Sequence, residues 1–219
     1  MENSSIEQNN LEKSIENNVE IIKAILGNPA DLIIRKSSIG FIENKFAMIY
    51  IKGLVNEDQV NNNILRILEL NKKEIKTDLF DTVYEEMIAL TEIKKSQKLK
   101  QVIKTLLDGD TVVLLNEYDQ AILLGTSGGE FRAIEEPQAE SVIRGSRSGF
   151  VESFKLNLAL LRREIKDPNL RINTMEIGKH SNQKIAICHI EGRVKPEIVD
   201  EVVRRLRTIE IDFAPDSGF

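Results

Sequence analysis

Residues 46–55 read FAMIYIKGLV, and residues 185–194 read IAICHIEGRV. In each, a run of apolar and β-branched side chains ends on a charged residue and a glycine, Lys52-Gly53 and Glu191-Gly192. Such a run reads as a strand, and the glycine as the corner that turns it towards a following helix. The match extends outwards on both sides. Asp31 to Ile39 and Leu170 to Ile177 read as preceding strands, while Val60 and Ile64 fall opposite Val199 and Val203 on helices that open after Asn56 and at Pro196. A further helix stands before each strand pair. Leu11, Ile15, Val19, Ile22 and Ile25 recur at helical spacing until Gly27-Asn28-Pro29, and Phe150, Phe154, Leu158, Leu161 and Ile165 do so until Asp167-Pro168. The two glycines at equivalent corners make this more than a shared hydrophobic rhythm: the chain reads as a duplicated helix–strand–strand–helix unit. The expected fold class is α/β, of the α+β type, with two small lobes, each a mixed or antiparallel sheet covered by helices, related by an internal repeat.

The lobes are unequal, because the sequence between the two copies carries elements of its own. Ile75 to Glu92 is a mixed helical stretch, and Leu99 to Leu107 is a helix ended by Asp108-Gly109. Thr111 to Leu115 and Ala121 to Gly125 are strands joined by a hairpin-length connection, with Glu130 to Ile134 as a third. The expected division is 1–10 as a polar, Asn-rich disordered tail, 11–134 as the first lobe, 135–148 as a linker and 149–219 as the second lobe. Phe154, Leu158 and Leu161 are assigned to the core of the second lobe, with Asn157, Arg162 and Arg163 off that stripe. In the last helix Val199, Val202, Val203 and Leu206 are the buried face, and Arg204, Arg205 and Arg207 point outward.

Composition narrows the function classes. A net charge of −5 with interspersed signs lacks the concentrated basic surface that phosphate neutralisation demands, so nucleic acid is excluded. The single Cys188 forms no internal disulfide, which favours a reducing, cytosol-facing location, and a lone thiol on a strand reads as a small core residue. No apolar run approaches the roughly 20 residues of a membrane helix, so this piece reads as soluble. Chemistry is sparse. Gly125-Thr-Ser-Gly-Gly is followed by Glu130 and Phe131, where a phosphate loop needs Lys and a hydroxyl residue. His180 and His189 are the only imidazoles, and strand alternation sends Cys188 and His189 to opposite faces. The reading is therefore no enzyme, no metal site and no cofactor. Arg162 and Arg163 with Arg204, Arg205 and Arg207 form either a basic face towards anionic lipid headgroups or ordinary solvated helix surfaces.

A longer, collinear run of sequence carries a family likeness. EPQAESVIRG at 136–145, GFVESFKLNLALLRREIKDPNLR at 149–171, LLDGDTVVLLN at 106–116 and KIAICHIEGRVKPEIVDEVVRRL at 184–206 together resemble the A subunits of GerA-type spore germinant receptors. The family's usual Arg-Gly-Pro turn, with an acidic residue before the next Gly, is replaced here by Ser146 and Ser148. The resemblance implies the soluble N-terminal domain of a larger subunit, cut before a membrane-embedded half and lying on the cytosol-facing side of the spore inner membrane. It also implies other receptor subunits as partners, with self-association and a small nutrient, amino acid or sugar, as further ones. Two functions then stand side by side. One is a sensor that takes a nutrient between the lobes and transmits binding or subunit contacts to the membrane half. The other is an assembly module with no ligand site of its own. The residues expected to bind ligand or bridge the lobes are Glu136, Glu140, Arg144 and Arg147 around the polar turn Gly145 to Gly149, and Asn157 and Arg162 on the helix after it.

Overall fold

A computed structural model describes residues 10–40, 44–70, 78–128 and 149–212. The first helix, α1 (Ile15–Leu26), starts where the Ser14 side chain accepts from the Asn17 N–H. It stops at Gly27, whose φ of +74° lets the N–H groups of Gly27 and Asn28 close on the carbonyls of Ala24 and Lys23. β1 (Leu32–Ser38) and β2 (Lys45–Ile51) form an antiparallel pair from Leu32↔Ile51 to Ser38↔Lys45. Gly53 then turns the chain, and Asn56 caps α2 (57–69), whose central Val60–Leu65 is wound as a π-helix. After α3 (79–87) come β3 (Ile93–Ser96), α4 (Leu99–Asp108), β4 (Thr111–Leu115) and β5 (Ala121–Leu124).

These strands make one antiparallel sheet in the order β1-β2-β4-β5-β3. Helices cover both of its faces, which is why β2 and β4 are apolar at almost every position rather than alternating. Ala47, Ile49, Val112 and Leu114 face α1 and α4, while Phe46, Met48, Val113 and Leu115 face α2 and α3. Both hydrophobic cores of the described residues are built here.

The second copy is smaller. α5 (Phe154–Glu164), β6 (Leu170–Ile177), β7 (Gln183–Ile190) and α6 (Pro196–Arg207) form a two-stranded antiparallel sheet with a helix on each side in sequence. The duplication reaches single hydrogen bonds. Asn18 accepts from the Glu12 N–H and donates to the Glu12 carbonyl, and Asn157 does the same to Val151, both across six residues. Lys52 N–H donates to Asp31 O and Glu191 N–H to Asn169 O, at 2.8 and 2.9 Å. Gly53 and Gly192 take the same left-handed corner, with φ of +86° and +77°.

Several expectations are corrected. α1 starts at Ile15 and not at Leu11, and α5 starts at Phe154 and not at Gly149. β3 was absent from the sequence reading, because Lys94 and Lys95 interrupt its pattern, as suits an edge strand. In α5 the expected stripe Phe154, Leu158 and Leu161 is only half-covered, and Phe150 is 73% exposed; the buried residues are Ala159, Leu160 and Arg162. On α6 no residue is fully buried, and Val202 is exposed. The common reason is that a two-stranded sheet has too little surface to bury a helix face. Cys188 is exposed and not a core residue. Glu130 to Ile134 lies outside the described residues.

Candidate functional site at the junction of the repeats

The second copy is fastened to the first through α5. Ala159 enters the core beneath α1 and α4, above Gly53; a Cβ on that glycine would stand 3.1 Å from the Ala159 methyl. One turn on, Arg162 is swallowed completely. Its Nε donates to Asp31 Oδ2 at 2.8 Å, Nη2 to Asp31 Oδ1 at 3.1 Å and Nη1 to the Leu170 carbonyl at 3.2 Å. The Arg162 side chain has no exposed surface and that of Asp31 is 7% exposed. A planar guanidinium meeting both carboxylate oxygens is the geometry in which a buried charge is best compensated. Asp31 closes the α1–β1 corner of the first copy and Leu170 opens β6 of the second, so a single side chain spans both units.

A second arginine reaches from the second copy to the first in the same direction. Arg171, on β6, lies against Gly27 at the end of α1, where a Cβ would collide with the guanidinium. Its Nη1 donates to the Pro168 carbonyl at 2.9 Å and reaches the Ile25 carbonyl at 3.4 Å. Nearby Lys166 Nζ donates to Asp108 Oδ1 at 2.7 Å, tying the end of α5 to the end of α4. Asp108 also borders a groove of about 170 Å³ lined by Glu92, Lys94, Lys104 and Asp110. Although Cys188 is exposed as a residue, partial desolvation pushes its thiol up from its ordinary value, with Arg162 lowering it and Asp31 raising it.

Of the residues singled out in the sequence, Asn157 is the bracket that holds Val151 ahead of α5, and Arg162 is the buried link to Asp31. Glu136, Glu140, Arg144 and Arg147 lie outside the described residues. Asp31, Asn18 and Arg171 were missed. Asn18 could have been found from its position in the repeat, since it and Asn157 stand at the same place in their helices. Asp31 carries no local signal, as its partner is 131 residues away. Arg162 does not form part of a basic outer face, because its charge is spent inward. Among the described residues no group of three or more His, Cys, Asp or Glu side chains is placed to hold a metal ion. Nor is any described helix long and apolar enough to cross a membrane.

Comparison with known proteins places this geometry. The profile of the Bacillus/Clostridium GerA spore germination protein family matches residues 20–219. The spore germination protein GerLA of Bacillus cereus is 32% identical over 202 residues, covering 91% of this chain and 41% of the relative. The spore germination protein KA of Bacillus subtilis strain 168 is 31% identical over 207 residues, covering 94% and 38%. The chain thus spans about two fifths of the length of these relatives. Among solved structures, the crystal structure of the N-terminal domain of the A subunit of the Bacillus megaterium spore germinant receptor GerK3 superposes with a TM-score of 0.68. It covers 93% of this chain and 75% of that one at 21% identity, a likeness of fold.

Proposed function

Since this chain belongs to the Bacillus/Clostridium GerA spore germination protein family, a family of germinant-receptor components and not of enzymes, we propose that it relays germinant detection to a membrane-embedded half. In this reading it is an A-subunit N-terminal domain at the spore inner membrane, on the cytosol-facing side, in contact with the other receptor subunits. Residues 11–134 and 149–219 act as its two lobes. The observation that carries the reading is the buried Arg162–Asp31 pair, because a bond that spans both repeat units makes a displacement of one a displacement of the other. The groove that Asp108 borders, lined by Lys94 and Lys104 together with Glu92, Asp108 and Asp110, has the mixed signs that suit a small zwitterionic nutrient. A ligand there would act by preferring one arrangement of the lobes over another.

The test replaces both members of the pair at once. Asp31→Leu with Arg162→Met leaves no uncompensated charge in the interior, and such double replacements keep a fold close to its original stability. Placed in the full-length A subunit, the double variant should slow nutrient-triggered loss of optical density in spore suspensions while the subunit still accumulates. Normal germination in spores that carry it would sink the relay.

The assembly-module reading has an observation of its own. Ile198 and Val202, one turn apart on α6, and Ile209 and Ile211 after its end are exposed apolar side chains of the kind that pack against another polypeptide.

A further inference from the structure

Arg162 and Lys166 each meet a carboxylate of the first copy, Asp31 and Asp108. Their surroundings differ. Arg162 and Asp31 are sealed from water, whereas the Lys166 and Asp108 side chains keep 53% and 37% of their surface exposed. An exposed pair is weak, because water competes for both charges. The junction therefore has a fixed point at Arg162 and, beyond the end of α5, a tether that is easily broken.

The carboxylate under that tether belongs to the groove. Asp108 is the last residue of α4, which has no basic side chain in its last turn, and the carbonyl end of a helix carries partial negative charge. A carboxylate at that place favours a cation beside it, and Lys166 supplies one from the second copy. Asp110 is engaged elsewhere: its Oδ1 accepts from the N–H groups of Thr126 and Ser127, each at 3.0 Å. Positive charge in the groove comes from Lys94 and from Lys104, one turn before Asp108 on α4. The volume of about 170 Å³ holds about six water-sized groups at ~30 Å³ each, which suits a small amino acid and excludes a drug-sized molecule.

We infer that a small amino acid in the groove takes Asp108 from Lys166. Its ammonium replaces that of the lysine on the carboxylate, and its own carboxylate lies towards Lys94 and Lys104. Occupancy then unties the end of α5 while Arg162 stays on Asp31, so the second copy is freed to turn about the buried pair. The inference rests on the groove being the nutrient site of the proposed function, and it adds the contact through which occupancy is felt. Ligand and tether compete, so each weakens the other to the same degree.

The experiment follows backbone amide shifts of the 219-residue chain as glycine, β-alanine or γ-aminobutyrate is added, with acetate as a carboxylate that lacks the ammonium. Lys166→Gln removes the competitor and should tighten amino-acid binding about two- to fivefold, the range set by an exposed ion pair, while acetate gains nothing. Asp108→Asn should weaken it at least about tenfold. In the Asp108→Asn background, Lys166→Gln should have no further effect. The Ile165 N–H donates to the Leu161 carbonyl at the end of α5. Its hydrogen exchange should speed up in saturating amino acid to the rate of unliganded Lys166→Gln. Both substitutions fall on exposed side chains, and unchanged Val112 and Leu114 amide shifts serve as the check that the fold is kept.

Amino acids that bind Lys166→Gln and the parent chain equally well overturn the inference and leave the groove as a nutrient site. Equal tightening with and without the Asp108 carboxylate also overturns it, since that is the field of a lost charge and not competition. If none of the three amino acids shifts the Lys104 amide, the groove falls as a nutrient site and the inference with it. The relay is separate, and stands or falls on germination of the Asp31→Leu, Arg162→Met receptor.

Discussion

Arg162 shows how far a residue's role can lie from its helical position. On the stripe defined by Phe154, Leu158 and Leu161 it is off-face, and a cation off-face is ordinarily a solvated one. Here the helix is turned so that its small residue, Ala159, faces the first copy and admits the guanidinium to Asp31. Removing one partner strands the other in the interior, so Arg162→Met alone should cost about 3–5 kcal/mol. The double variant with Asp31→Leu should recover most of that loss. Urea denaturation of the single and double variants measures both, and additive losses would show that the two groups do not act as a pair.

At the scale of elements, the repeat predicts a graded response at its two glycine corners. Both hold left-handed φ, where an added Cβ costs roughly 1–2 kcal/mol. Gly192 has nothing within 4 Å of that position, whereas Gly53 lies under Ala159 at 3.1 Å. Gly192→Ala should therefore show the backbone penalty alone. Gly53→Ala should lose about 1–3 kcal/mol more, as overpacking at a close contact does. Equal shifts in denaturation midpoint would mean that the packing of α5 over Gly53 is looser than the geometry implies. The strands and α4 were legible because each is bounded by glycine, proline or a cap and carries its apolar residues at one period. The short β3, IKKS, was not, since two lysines in four residues hide a strand that one neighbour, β5, pairs into the sheet.

Over the whole molecule, stability should be unevenly shared. The first unit buries two cores against a five-stranded sheet, while the second leans on it through Ala159, Arg162 and Arg171 and, among its described residues, buries beside Ala159 and Arg162 only Leu160, Leu170 and Ile172. Hydrogen exchange should therefore show β2, β4 and α4 protected to the level of global unfolding, with β7 and α6 opening at lower free energy. Uniform protection across both units would contradict this division. The sequence by itself determined the helix–strand–strand–helix unit, its duplication and the family, because period, caps and the paired glycines are local features that repeat along the chain. Only the tertiary structure decided which face of α5 is buried, that Asp31 and Arg162 meet, and that among the described residues the second sheet pairs β6 with β7 alone. Those depend on what lies opposite each element, and the partners come from distant parts of the chain, where no local pattern records them.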